Sequence, residues 1–478
     1  MTVRVLCGAC LVCVSFAAGA GAQAPDRSHP PTLGPAPTLN LPAIQKRALS
    51  NGLPVWIIES HQVPIAQINV VVLSGSADDP AGKFGVGSLT AAMLDEGAGT
   101  RSALEIADVV EGLGATLATT SSFDSSAIRL NVPVARLQDA LPLLADVALR
   151  PTFTGADLER LRQERLTALL QARDDPSSIA AAAFARLVFG AHRYGTGAIG
   201  TEATVAAFTA GDLKSFHAAH YVPSNAALIV VGDVRSDALL PLLEQQFGGW
   251  KGPAHPRTSI PEAAQVPHRR VVLVDKPGAA QSQIWIGMVG VARSTPDYFP
   301  IQVLNTILGG SFTSRLNQNL REQHGYAYGA SSAFDMRRSP GPFLAAAGVQ
   351  TDKTGEALRE FFNEFAAIGK PIGKDELSKT RNYLALSFPG EFETTSQLSR
   401  KLEELIVYRL PESHFSQYMG NVQAVRADQV QKAAAKYIRQ SHFMVVVVGD
   451  RKAIEPGVRA LRLARIEVMT VDEALGRK

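Results

Sequence analysis

The chain has 478 residues, 46% hydrophobic and 19% charged, which is the composition of a globular protein and too apolar for a disordered one. Its formal net charge is +3, with both signs interspersed and no basic run, so there is no electrostatic basis for nucleic acid or an anionic membrane as the main partner. The length suits about two to four domains.

The first residues read MTVRVLCGACLVCVSFAAGAGAQAPD. Arg4 supplies a positive start, Val5 to Ala18 is apolar and small, and Ala20-Gly21-Ala22 is a small-x-small cleavage pattern. Residues 1–22 therefore read as a secretory signal peptide. Its removal would take one positive charge and leave about +2. All three cysteines (Cys7, Cys10, Cys13) lie inside it, outside any lipobox. The exported chain would then hold no thiol, which suits an oxidising compartment, the periplasm in a Gram-negative source. No later run reaches the ~18 apolar residues of a membrane span.

Residues 23–45 carry six prolines and read as an extended tether. Alternation and β-branched residues predict strands over Leu53–Glu59 and Ile65–Leu73. Helices are expected over Lys83–Leu94 and Ala103–Leu113. A pair of strands, Ala115–Ser121 and Ser125–Val132, is joined through Phe123-Asp124. A helical tract follows, over Ala135–Leu149, Ala156–Ala172 and Ser178–Leu187, and Asn225–Val231 reads as a buried strand closing on Gly232-Asp233. Residues 251–268 hold four prolines and read as a linker, which gives an expected first domain over 46–250 and a second over 269–478.

The second half repeats the first. QINVVVLSGSADDP, with Gln67 and Pro80, matches QIWIGMVGVARSTP, with Gln283 and Pro296, at an offset of 216 residues. YVPSNAALIVVGD and YIRQSHFMVVVVGD close on Gly232-Asp233 and Gly449-Asp450, offset by 217. A near-constant offset at both ends of each half argues for duplicated α+β domains, with strands grouped into sheets and helices packed on one face.

One stretch of the second half carries chemistry of its own: Gly309 to Tyr328, GGSFTSRLNQNLREQHGYAY. It reads as a glycine turn, a short helix capped by Ser311 or Thr313, and the start of a strand. Leu316 and Leu320 form a buried stripe and Gly325 ends the helix. Arg321 falls on the last turn and Tyr328 on the strand, seven residues on. Locally this is an ordinary helix-end arginine and strand tyrosine, or a guanidinium fork and a phenol held together for a purpose. Gly309 and Gly310 are either a plain tight turn or a place where substrate backbone comes close.

The motifs GLPVWIIESHQVPIAQINVVVLSGSADDP, GAHRYGTGAIGT, YVPSNAALIVVGD, VDKPGAAQSQIWIGMVG and LGGSFTSRLNQNLREQHGYAY together resemble the M16 family of zinc metallopeptidases (insulinase, pitrilysin, mitochondrial processing peptidase). The resemblance spans residues 50 to about 450. It implies two homologous α+β metallohydrolase domains of the LuxS and processing-peptidase type, each a mainly antiparallel sheet with helices on one face. Two such chains or fused halves would close around a chamber.

Active members carry H-x-x-E-H, whose histidines share a helix face to bind Zn²⁺ while the glutamate activates water, and a further glutamate ligand downstream. The matching segment here is GVGSLTAAMLDEG, so Ser88, Ala91 and Ala92 stand at the motif positions and Ala168 falls near the fourth. No zinc is therefore expected on this chain. Arg321 and Tyr328 match an arginine and tyrosine that, in the family, reach across the chamber to the zinc site of the other half. Tyr326 is a rival phenol, only five residues from Arg321 and expected on the same strand face as Tyr328.

The resemblance thus implies a non-zinc subunit of an exported two-chain peptidase. A partner with the intact motif would bring Zn²⁺ and the base, and a peptide or small unfolded protein would be the substrate. Two other readings stay open. One is a scaffold or binding protein that kept the fold and lost proteolysis. The other is a hydrolase with a relocated metal site on His217 and His220, three apart on a helix. His324 reads as a helix-end histidine, and Asp95 and Glu96 as solvated helix-end acids.

Overall fold

The computed structural model describes residues 39–256 and 259–477, so the expected signal peptide and residues 23–38 of the tether lie outside the described residues. The first half builds strands β1 (Gln45–Ala48), β2 (Pro54–Glu59), β3 (Ile65–Val72), a two-stranded ribbon β4 (Gly97–Ala98) and β5 (Arg101–Ser102), β6 (Thr116–Ser121), β7 (Ser126–Pro133) and β8 (Ala226–Gly232). Apart from the ribbon these form one six-stranded sheet, in the order β1-β2-β8-β3-β7-β6. The second half builds β9 (Arg270–Asp275), β10 (Gln281–Val289), β11 (Ala327–Phe334), β12 (Pro342–Gln350), β13 (Met444–Gly449) and β14 (Ile466–Thr470). Their order is β11-β12-β10-β13-β9-β14.

Read from opposite ends, the two sheets superimpose in topology: β6 answers β11, β7 answers β12, β3 answers β10, and β8 answers β13. The repeat seen in the sequence is this correspondence. Gln67 and Gln283 lie on β3 and β10, while Gly232 and Gly449 end β8 and β13. The pairs β2–β8, β9–β13 and β9–β14 are parallel and the remaining sheet pairs antiparallel.

The helices that matter for the site are, in the first half, α1 (Val86–Ala92), α2 (Ala103–Gly112), α3 (Leu137–Leu149), α4 (Gly155–Gln171), α5 (Pro176–Phe189), α6 (Glu202–Ala207), α7 (Ala210–His220) and α8 (Ser236–Phe247). The second half adds α9 (Tyr298–Leu308), α10 (Arg315–Asn317), α11 (Thr354–Ala367), α12 (Lys374–Ser387) and α13 (Thr395–Tyr408). Each half covers one face of its sheet with its own helices, as expected. Alternate residues Val70, Val72, Leu228 and Val230 pack with Leu141, Leu213 and Leu243 of α3, α7 and α8.

The opposite faces are covered by exchange, which the sequence reading did not foresee. Val71, Ile229 and Val231 share a core with Leu398, Leu402 and Leu405 of α13. Reciprocally, Ile179, Ala183 and Phe184 of α5 pack on Val272, Val446 and Val448 of the second sheet. Central strands buried on both faces read as unbroken apolar runs, and this is why AALIVVG and MVVVVG carry no alternation. Burial of each such side chain contributes about 1.5–3 kcal/mol. The described residues of 251–268 contain no helix or strand. No described helix is long and apolar enough to cross a membrane.

Ion pairs fasten the same exchange. Arg338, from the loop before β12, reaches Asp78 at 2.7 Å and Asp124 at 3.3 Å in the first half, and the Tyr408 hydroxyl donates to Asp124 at 3.2 Å. Phe123-Asp124 is therefore both a hairpin tip and a clasp for the second half.

Candidate functional site

Helix α1 is short, and its start is fixed from outside. Gly85, at φ 103°, is its N-cap. The Asp79 carboxylate takes the place of a capping side chain: it accepts from the N–H of Gly85 at 2.6 Å and of Gly87 at 2.8 Å, and from Arg193 Nη2 at 2.6 Å. The Asp79 side chain is fully buried. Burial pushes its carboxyl above the usual range and Arg193 below, each opposed by the other's charge. Arg193 also lies over the Phe84 ring, 4.7 Å from its centroid. Gly200, at φ +89°, presses on the same loop, where a Cβ would come within 2.2 Å of the Phe84 carbonyl oxygen. The GAHRYGTGAIGT motif is thus the anchorage of α1.

On α1, Ser88 and Ala91 are buried and Ala92 is half-buried, while Ala168 is exposed on α4. Only Ser88 offers an oxygen, and it is already committed. Its Oγ lies 2.8 Å from the carbonyl of Ala198, to which it donates, and accepts from Arg165 Nη1 at 2.9 Å. Arg165 sits one turn before Ala168 on α4. Burial lowers its pKa to about 10, with the Asp79 charge acting in the opposite sense, so it is a cation at neutral pH. Four positions without a free ligand atom, and a guanidinium bonded to the first of them, do not fit a zinc ion.

The histidines do not supply a replacement. His217 Nε2 is 2.9 Å from the Ala148 carbonyl oxygen and its ring stacks on Tyr221. His220 points elsewhere, 3.0 Å from Ser74 Oγ and 2.9 Å from His255 Nε2. Burial holds both below the usual imidazole range, His220 at about 4. Among the described residues no group of three or more His, Cys, Asp or Glu side chains could hold a metal ion. Asp95 is not the solvated acid expected. It is half-buried, accepts from the Thr119 hydroxyl at 3.2 Å, and is raised by burial, while Glu96 pairs with Arg160.

The second-half stretch folds as a helix, but of an unexpected kind. One turn of α10 passes into a π-helix over Gln318–Gln323, which Gly325 (φ 63°) closes. The N-cap is Ser314 rather than Ser311 or Thr313, and its hydroxyl caps nothing; Ser311 Oγ instead donates to the Thr306 carbonyl. Leu316 and Leu320 are fully buried, as expected. Asn317 ties the turn to the strand, donating to the Phe312 carbonyl at 2.6 Å and accepting from the Ala330 N–H at 3.2 Å. Arg315 grips Glu376 of α12 with two bonds, at 2.8 and 2.7 Å. Gly309 is needed by the fold itself: a Cβ there would meet the Ser332 nitrogen at 2.3 Å. Gly310 is closed off in the same way by Asn305.

On this rigid base Arg321 and Tyr328 meet. The Arg321 guanidinium lies 5.3 Å from the Tyr328 ring centroid and 4.5 Å from that of Phe312. Such contacts contribute about 0.5–1 kcal/mol at exposed sites and restrain the ring. Tyr328 is 90% exposed, on the outer strand of its sheet. Tyr326 is separated from it. It precedes β11, stacks on His324 at 4.9 Å and is half-buried. The register shift between Ala327 and Ala330 breaks the alternation that would have put both phenols on one face.

Sequence reading missed Arg165 and the Asp79–Arg193 anchor. Arg165 was in reach: three residues before Ala168, it falls on the same helix face. Asp79 and Arg193 are 114 residues apart, and no local pattern pairs them.

Residues 55–199 match the insulinase (peptidase family M16) model, and residues 207–384 match the peptidase M16 inactive domain. An uncharacterized zinc protease of Mycobacterium tuberculosis is 29% identical over 446 residues, covering 90% of this chain and 99% of that protein. The crystal structure of a peptidase M16 inactive domain from Pseudomonas fluorescens aligns with TM-score 0.80 at 26% identity, over 85% of this chain and 98% of the other. A protease from Helicobacter pylori shares the fold at TM-score 0.80 and 22% identity, over 86% and 100% of the two chains. With M16 models matching both halves and two sheets of one topology, the chain belongs to the M16 peptidase family.

Proposed function

We propose that this chain is the non-zinc subunit of an exported M16-type peptidase, cutting peptides or small unfolded proteins with a partner chain that carries H-x-x-E-H, Zn²⁺ and the general base. Tyr328 carries this reading. A phenol exposed to 90%, on an edge strand and braced by a guanidinium, serves no core and is free to donate to something outside the chain. Attack on a peptide carbonyl builds negative charge on its oxygen. A donor aimed at that oxygen lowers the barrier by about 2.7–4 kcal/mol in comparable sites. Tyr328 supplies that bond, and Arg321 orients a neighbouring backbone carbonyl and the phenol itself. Among the described residues β11 pairs with β12 alone, and strand addition at its outer edge accounts for recognition of extended backbone rather than of particular side chains.

The test is cleavage of an unstructured peptide by the isolated chain, by its zinc-bearing partner, and by the pair. Activity is expected in the pair alone. Tyr328→Phe in the pair is expected to lower kcat by roughly one to three orders of magnitude. Peptidase activity of the isolated, metal-replete chain would overturn the subunit reading. A pair that turns over equally well with Tyr328→Phe would favour a scaffold that no longer takes part in chemistry.

A further inference from the structure

Arg165 is the one arginine of α4 without an acidic partner among the described residues. Arg160 pairs with Glu96 and Glu164, and Arg162 with Glu159. Arg162 also donates to the carbonyls of Val205, Ala206 and Phe208 at 2.6–2.8 Å, which locks α4 against the end of α6. One turn further along this fixed helix, Arg165 has a single hydrogen bond among the described residues, from Nη1 to the neutral Ser88 hydroxyl. The acidic group whose charge acts on it, Asp79, is saturated by Arg193 and two backbone N–H groups. The Nε and Nη2 edge of the guanidinium therefore has no described partner, yet it is not sealed from solvent.

Buried charges in proteins are normally paired, because an unpaired one loses hydration without compensation. A cation left half-buried with its two-donor edge open is arranged for an anion that arrives from outside. The Nε/Nη2 edge matches the two oxygens of a carboxylate. A peptide is the natural carrier. Strand β6 is an outer strand of its sheet that pairs, among the described residues, with β7 alone, and it packs on α1, the helix that presents Ser88 to Arg165.

We propose that Arg165, positioned by Ser88, is a carboxylate-binding subsite for extended peptides lying along β6. The carboxylate is either the peptide's own C-terminus or an acidic side chain. The inference rests on reading this chain as a peptide-binding wall. It requires neither a zinc partner nor cleavage.

The experiment is fluorescence anisotropy of the isolated full chain with a labelled, unstructured peptide in three forms: free acid, C-terminal amide, and amide with one internal glutamate. The wild-type chain is expected to bind at least one carboxylate form about tenfold more tightly than the uncharged amide. The free-acid and internal-glutamate arms tell the two sources apart. Arg165→Gln is expected to erase the preference, and Arg165→Lys to keep a weaker one, since an ammonium lacks the two-donor edge. Ser88→Ala leaves the cation but not its positioning bond. It is expected to reduce the preference severalfold, and it reports independently if Arg165→Gln does not fold. Equal affinity for all three peptides, no binding by the wild-type chain, or a full preference retained in folded Arg165→Gln would each overturn the proposal. Because binding is read rather than turnover, a failed pairing with a zinc subunit leaves this result standing.

Discussion

The two halves share one sheet topology and differ in what they present at matching places. In the first half, the outer strand β6 packs on α1, whose Ser88 hydroxyl accepts from Arg165. In the second, the outer strand β11 carries Tyr328 beside Arg321 on a π-helical turn. The first is largely buried and anchored by the deep Asp79–Arg193 ion pair, with only the outer edge of Arg165 left without a described partner. The second is exposed, braced from below and free at its tip. Residues kept only for packing turn inward and find partners. The phenol of Tyr328 does neither.

The sharpest way to break this contrast is to remove the anchor beneath α1. Asp79→Ala strands Arg193 as a buried unpaired cation, and is expected to destabilise the chain by about 3–5 kcal/mol, read from the urea midpoint. A loss well below 1 kcal/mol would show that α1 is held by packing alone.

A second test rebuilds what the first half lacks. Ser88→His, Ala91→Glu, Ala92→His and Ala168→Glu together restore the motif residues, but Arg165 still places a positive charge against them. Adding Arg165→Leu to that variant is expected to raise Zn²⁺ affinity at least about tenfold, measured by competition with a chromophoric chelator. Unchanged affinity would mean that the guanidinium swings clear.

A smaller effect tests whether the halves respond alike to acid. His220 in the first half is pushed down to about 4 by burial, and His414 in the second to about 4 by burial and by Arg293. Each folded pKa lies below the unfolded value of about 6.5, so the unfolded chain binds more protons between these limits. Stability is full well above pH ~6.5 and falls as pH drops toward ~4, by up to about 2 kcal/mol per histidine between pH 7 and 5. Urea midpoints at the two pH values measure the drop, and His220→Asn should remove about half of it. An undiminished drop would place the acid sensitivity in the second half.

Much of the fold was legible because its signals are local or periodic. The Gln67/Gln283 and Gly232/Gly449 offsets announced two copies of one sheet, and Gly325 marked the end of its helix. The exchange of α5 and α13 between halves was not legible, since an apolar helix face does not say whose sheet it covers. The π-helix was also hidden, because no residue in QNLREQ separates a π turn from an α turn. Tyr326 and Tyr328 look equivalent until the bulge between Ala327 and Ala330 turns one inward and the other out.

By itself the sequence determined the duplicated architecture, the absence of ligand side chains at Ser88, Ala91, Ala92 and Ala168, and the seven-residue spacing of Arg321 and Tyr328. These are matters of residue type and interval. Only the tertiary structure decided that Asp79 finds Arg193 across 114 residues, that Arg165 leans on Ser88, and that Tyr328 stands free. The physical reason is common to all three. Pairing, desolvation and exposure depend on which surfaces meet, and that is settled by packing two sheets and their exchanged helices against one another.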